Sequence, residues 1–319
     1  MKSTPEAGSS DHRTPNLLTF DIEGFVEASH DSMTVPRECL SALRETEEIE
    51  VNTMEILDVL AETGDKATFF ILGRIARDMP RLVRRIADAG HEIGCHSFYH
   101  RRLFHFDERQ VCQFLGDAKR TLEEASGQQV YGFRAPDFSI TAANRWTFDV
   151  LHDLGYVYDS SVVPTTLHDV YGIAGFPTVP FRLPNGLIEF PVSTMQVLRW
   201  NVPVGGGGYL RLYPLALTRA AFRHANRRGI PRIVYLHPFE MGKVVPRIQR
   251  LGLVRHVRTY NGVRRSKAKL VALLREFRFV RMIDYLHQGH FETAAPTCVQ
   301  GKPRRGREAP VSDAVSCDR

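Results

Sequence analysis

The sequence predicts an α/β fold, a distorted barrel built on a parallel sheet, and three observations carry that expectation. Short apolar runs alternate with longer amphipathic stretches from residue 17 to about residue 277. The segments joining them are short, as repeated strand–helix units require. Four of the apolar runs end directly in residues suited to metal or proton chemistry, and in parallel α/β folds such residues gather at the carboxyl ends of strands.

Taken in order, Leu17 to Ile22 reads as a buried strand, followed by a helix near 46–63 and a strand at 67–72. A helix near 79–89, a strand at 91–95, a helix near 107–125, a strand at 130–133 and a helix near 142–154 come next. The segment 162–210 breaks this rhythm with Pro and Gly, and holds strand-like pieces at 187–192 and 195–200. The run Gly205–Gly208 leads into a further strand-like stretch and lacks the Gly-Lys-Ser/Thr ending of a phosphate loop, which argues against nucleotide binding. A helix near 214–228, a strand at 232–236 and a basic helix near 264–277 complete the body. Residues 1–15 and 293–319 are polar and lack hydrophobic periodicity, so the expectation is one domain over 16–292 between a loose N-terminal tail and a basic C-terminal one.

With 43% hydrophobic and 24% charged residues among 319, the chain has the composition of an ordinary folded domain, and no apolar run approaches membrane-spanning length. The polar start has no signal-peptide pattern, which sets cytoplasmic as the expected location. Five cysteines (Cys39, Cys95, Cys112, Cys298, Cys317) lack CxxC spacing and read as reduced thiols. The net charge of +6 collects at 223–232, 247–281 and 304–307. Such a stripe suits a solvated face plus a basic tail first, and after that an anionic glycan, a diphosphate-linked lipid or peripheral contact with a membrane surface. No nucleic-acid-binding motif accompanies it, so nucleic acid is not an expected partner.

Asp21 and Glu23 stand two apart at the end of the first strand, which turns both carboxylates to one side. His96 and His100 have i,i+4 spacing, which places both rings on one face if a helix starts at or just after His96. His91 and His105 nearby read as surface residues. Two histidines and one carboxylate make a three-ligand site with an open position, the donor set of catalytic zinc and also of non-haem iron. Arg134, followed by Pro136, Asp137 and Phe138, ends another strand, where a guanidinium can hold a catalytic carboxylate ionised. His237 closes the strand Ile233–Leu236 and is free to act as a general acid, with Leu236 beside it to line a small apolar pocket. No GxSxG elbow is present, and Cys95 reads as a buried strand residue rather than a nucleophile.

In this order, Thr19-Phe20-Asp21-Ile22-Glu23, His96-Ser97-Phe98-Tyr99-His100, Arg134-Ala135-Pro136-Asp137-Phe138 and Leu236-His237-Pro238 resemble the motifs of the polysaccharide deacetylases, the chitooligosaccharide deacetylase or carbohydrate esterase 4 superfamily. The resemblance spans roughly residues 16–290 and is nearest to the branch found beside exopolysaccharide and exosortase loci, on Phe-Asp-Ile-Glu, Gly207–Arg211, Leu236–Glu240 and the basic helix from Arg264. It implies a distorted (β/α)7-type barrel and a divalent metal, zinc above others. It also implies Asp21 as base, Glu23, His96 and His100 as metal ligands, Arg134 orienting the base, and His237 as general acid. Leu236, with Pro136 and Phe138, would line the substrate pocket. The family's usual pair of adjacent aspartates is here Asp21-Ile22-Glu23, which leaves the ligand role of Glu23 less firmly matched. Asp159, in Tyr158-Asp159-Ser160-Ser161, is the candidate for the acid that tunes the histidine.

The implied reaction removes acetate from an N-acetylhexosamine, in a glycan or a lipid-linked oligosaccharide at the inner membrane face. Competing readings are a hydrolase of a small imide, ureide or formamide on the same scaffold, a glycan-binding protein without catalysis, and iron-dependent oxygenation.

Overall fold

The computed structural model describes residues 14–25, 27, 45–165, 172–173, 175–246, 248, 253–289 and 291–293. Most of both expected tails lies outside them, as do Cys39, Cys298, Cys317 and the basic cluster at 304–307. The first half follows the strand–helix order: β1 (Asn16–Ile22), α1 (Glu45–Thr63), β2 (Thr68–Ile71), α2 (Gly73–Asp78), α3 (Pro80–Asp88) and β3 (Glu92–Cys95). α4 (Glu108–Ser126), β4 (Gly132–Phe133), α5 (Thr147–Asp153) and β5 (Tyr158–Asp159) continue it. The irregular segment contributes β6 (Phe181–Arg182), β7 (Ile188–Glu189), β8 (Thr194–Val197) and β9 (Trp200–Pro203). Then come α6 (Gly207–Leu212), α7 (Leu215–Asn226), β10 (Ile233–Leu236), α8 (Leu253–Tyr260), α9 (Val263–Leu274), β11 (Phe279–Val280) and α10 (Met282–Gln288).

The main sheet runs β10-β1-β2-β3-β4-β5-β7 with every neighbour parallel, and β6 joins the far edge antiparallel. β11 pairs with the first two residues of β1, ahead of the point where β2 begins. The sheet is therefore a curled, open barrel, as the alternation predicted. Strand alternation divides each strand between two environments. In β1, Leu18, Phe20 and Ile22 turn outward into the main core against the helices. Leu17 belongs instead to an inner cluster with Phe70, Tyr158, Ile188, Phe190, Ile233 and Met282. Gly94 belongs to this interior: a Cβ there would come within 2.6 Å of the Phe70 ring, so only glycine lets that ring lie across β3.

Three elements differ from expectation. The piece at 195–200 is not one strand; β8 and β9 form an antiparallel hairpin that turns at Leu198 and Arg199, with Leu198 at φ 54°. The glycine run opens a helix, α6, rather than a strand. His96 to His100 form an irregular turn and not a helix. Ser97, at φ 67°, reverses the chain there, so the two rings meet through a tight loop rather than along a helical face.

Candidate active site

Parallel register decides where the reactive side chains end up. Phe20 pairs with Leu236, Ile71 with Cys95, Cys95 with Phe133, and Phe133 with Asp159. The residues that follow or face these pairs, namely Asp21, Glu23, His96, Arg134, Ser160 and His237, therefore emerge on the same rim. This is the carboxyl end of the strands, where loop residues are free to diverge from the barrel's packing.

Glu23, His96 and His100 are all buried, and one ligand atom from each lies within 4.8 Å of the others. His100 Nε2 lies 2.7 Å and His96 Nε2 3.2 Å from the same oxygen, Glu23 Oε2. His96 Nδ1 is 2.7 Å from the carbonyl oxygen of Arg134. A carbonyl only accepts, so Nδ1 carries the proton and Nε2 presents its lone pair toward Glu23. A lone pair and a carboxylate oxygen in contact are held by a cation between them, whether a proton or a metal ion, and the donor set fits a divalent metal. Burial opposes ionisation of Glu23, yet the imidazoles of His100, His96 and His237 hold its pKa well below the usual carboxylate range. Burial likewise disfavours charge on His100, but the Glu23 carboxylate carries its pKa up to about 10.

Beside this trio, Arg134 is completely enclosed. Its Nη1 donates to Asp21 Oδ1 at 2.7 Å and to Thr19 Oγ1 at 2.8 Å. Its Nε and Nη2 donate to the carbonyl and hydroxyl of Ser160 at 3.2 and 2.9 Å. The guanidinium lies 4.3 Å above the Phe70 ring, the ring that Gly94 admits. Asp21 is 2% exposed, so its pairing with an immobile cation keeps a buried carboxylate affordable and fixes its direction.

His237 is partly open, at 21% side-chain exposure, and bridges two carboxylates. Its Nε2 is 3.4 Å from Glu23 Oε1 and its Nδ1 is 2.9 Å from Glu240 Oε2. Burial works against its charge, while the hydrogen bond to Glu240 and the charge of Glu23 push its pKa up to about 9.

Three expectations are corrected here. The acid bonded to the histidine is Glu240, not Asp159. Asp159 is buried on the far side of Ser160 and accepts from the Ser161 hydroxyl at 2.6 Å and from its amide at 3.1 Å. Leu236 does not share a face with His237; strand alternation sends it outward into the main core, where it is 0% exposed. The inward neighbour is Tyr235, which packs on Phe138 with ring centroids 5.2 Å apart, in a cluster with Val163 and Val192. Pro136 and Phe138 remain at the rim in a short turn where Asp137 and Phe138 have φ 51° and 50°. Finally, His91 is buried, its Nδ1 accepting from the Ala67 amide at 3.3 Å, whereas His105 is exposed as expected. Sequence reasoning also missed Thr19 and Ser160 as partners of Arg134, and Glu240 as the partner of His237. The available signals were that Thr19 shares the inward parity of Asp21 and that Glu240 ends the stretch Leu236–Glu240.

Residues 38–158 match the polysaccharide deacetylase family and residues 160–287 match a domain of unknown function, DUF3473. The likeness to the polysaccharide deacetylases is carried by residues 38–158. Asp21 and Glu23 precede both matched stretches. A chitooligosaccharide deacetylase of Sinorhizobium fredii is 39% identical over 101 residues, 30% of this chain and 47% of that protein. The chain thus spans about half the length of that curated relative. A polysaccharide deacetylase structure from Mycobacterium smegmatis superposes with TM-score 0.57 at 22% identity, covering 92% of this chain and 98% of the other. The Puue allantoinase structure gives 0.57 at 15% identity over 86% and 91%. Both likenesses concern the fold.

Proposed function

We propose that the chain is a metal-dependent N-deacetylase that hydrolyses the acetamide of an N-acetylhexosamine, releasing acetate and a free amino sugar. The observation carrying this reading is the convergence, on one rim, of a buried carboxylate–arginine pair, a Glu-His-His donor set and a histidine open to solvent. Glu23, His96 and His100 would hold the metal, for which the donor set favours zinc; when bound, such an ion polarises an acetamide carbonyl and acidifies water. Asp21, held in place by Arg134, takes the proton from the attacking water. As the scissile C–N bond breaks, its electron pair passes to nitrogen, and His237 Nε2 supplies the proton that nitrogen needs to leave. Tyr235 and Phe138 are the apolar surface on which the acetyl methyl would rest, with Pro136 shaping the turn.

The relatives' names support an N-acetylated glycan as substrate. The proposal extends to a lipid-linked oligosaccharide handled in the cytoplasm with peripheral membrane contact, as in the branch of the family beside exopolysaccharide loci. Free thiols at Cys95 and Cys112 are consistent with that compartment. Among the described residues no helix is long and apolar enough to cross a membrane. Support for surface contact comes from the β8–β9 hairpin, whose tip exposes Val197, Leu198 at 90%, and Trp200 with Arg199 over its ring.

The test is acetate release by zinc-loaded protein from N-acetylhexosamine oligosaccharides, free and lipid-linked, with Asp21→Asn alongside. Release that disappears in the variant supports the reading. Silence across the panel with metal bound sinks it and turns attention to small imides, ureides and formamides.

A further inference from the structure

Three features of the stretch matching the domain of unknown function surround the proposed general acid without touching substrate: the glycine run Gly205–Gly208, Arg211 in α6, and Glu240 in the short turn after β10. We propose that Arg211 and Glu240 are a positioning pair for His237, set in place by the glycine run, so that residues 160–287 supply the proton-delivery half of the site. The reaction they serve is the deacetylation proposed above, and the inference rests on it to that extent.

Glu240 is 0% exposed and both its oxygens are engaged. Oε2 accepts from the His237 amide at 3.0 Å and faces its Nδ1 at 2.9 Å; Oε1 lies 2.5 Å from Arg211 Nε. An ionised carboxylate only accepts, so Nδ1 carries one imidazole proton, and Nε2, turned toward Glu23 and the rim, is the atom from which a second is delivered. Arg211 is anchored in turn, donating from Nη1 to the Thr259 carbonyl at 2.7 Å. Its guanidinium lies 5.9 Å over the Phe239 ring, which stacks on His237 at 5.7 Å and 20°. The imidazole is therefore fixed both at one edge and over one face.

The glycines explain how Arg211 arrives there. Gly206 bridges to Tyr235, and the Tyr235 amide donates to the Gly205 carbonyl at 3.2 Å. A Cβ on Gly206 would fall 1.7 Å from the Tyr235 ring, and Gly205 and Gly207 have φ 86° and 41°. Only a bare backbone can lie this flat on β10 and then begin a helix, one turn before Arg211.

The experiment uses zinc-loaded full chain, Glu240→Gln and, as a second variant that keeps a cation, Arg211→Lys, each checked for thermal unfolding and metal content. Turnover of an N-acetylhexosamine oligosaccharide should fall about 100-fold in Glu240→Gln, the scale of general acid catalysis. Hydrolysis of an activated aryl acetate, whose leaving group departs without a proton, should fall by less than about 10-fold on the same reasoning. Arg211→Lys should show the same selectivity in milder form. In histidine-labelled ¹⁵N NMR, the wild-type His237 should show a downfield Nδ1 proton that moves upfield in Glu240→Gln. Equal loss on both substrates, no loss on the amide, or loss of metal overturns the proposal. If the wild-type protein turns over neither substrate, the deacetylase reading fails, and the NMR decides alone: an unchanged His237 resonance overturns the pairing.

Discussion

Arg134 is the residue on which the rim depends. Its side chain reaches Asp21, Thr19 and Ser160, and its backbone carbonyl sets the tautomer of His96, so one residue links the proposed base to the proposed metal ligands. Roles that are separable in this way should separate on mutation. Asp21→Asn keeps shape and metal but cannot take a proton, so its acetate release should drop by about 10² to 10⁴ with bound metal unchanged. His96→Ala should instead lose the metal, read as stoichiometry by elemental analysis, and a full complement of metal would remove His96 from the donor set. Chelation of the wild-type protein should abolish activity, and added zinc should restore it.

At the scale of elements, β3 shows how packing and chemistry share residues. Phe70 lies across Gly94 on one side and under the Arg134 guanidinium on the other. Gly94→Ala would push its methyl into that ring, and the expected cost is about 1–3 kcal/mol by denaturant unfolding, with turnover falling as Arg134 shifts. An unchanged unfolding midpoint would show that the ring has room to move. The β8–β9 hairpin makes a different prediction, because its tip projects Leu198 and Trp200 into solvent. The double variant Leu198→Ser, Trp200→Ala should lose co-sedimentation with vesicles of anionic phospholipid while retaining its fold. Equal co-sedimentation of variant and wild-type protein rules out the hairpin as the contact.

Across the whole molecule the two ends of the barrel have different tasks. At the amino end, Glu92 accepts from Thr68 at 2.5 Å, Tyr158 at 2.7 Å and the Ile283 amide at 3.0 Å, tying β2, β3, β5 and α10 together. Next to it, burial and then the charges of Lys66 and Arg281 hold the pKa of His91 down at about 4. The unfolded chain, with histidine near 6.5, binds this proton more readily, so stability rises with pH through that interval and is lost as pH falls from about 6.5 toward 4. Acidification from pH 8 to pH 5 should therefore cost about 1–2 kcal/mol through this site. In His91→Gln the corresponding part of the slope in a pH series of unfolding curves should vanish; an unaltered slope would place the acid sensitivity elsewhere.

Alternation of apolar runs with amphipathic stretches was enough for the α/β class, the long helices and the parallel strands β1, β2, β3 and β10, since burial on both faces leaves a continuous apolar run. Two-residue strands such as β5, β6 and β11 leave no periodicity to read, and they exist only because longer neighbours offer them hydrogen bonds. The same limit applies at the rim. The residue types at 21, 23, 96, 100, 134 and 237 were legible because each follows an apolar run, and the choice of chemistry needs little more than that. Their partners were not. Which carboxylate meets His237 depends on a turn after β10 and on a helix started by Gly207. Whether Leu236 or Tyr235 faces the site depends on strand parity counted from His237. Residue order is enough to say which groups are available at the strand ends. Tertiary structure alone decided which of them touch, because register and loop reversal set contacts between residues more than 100 positions apart, as Arg134 and Asp21 are.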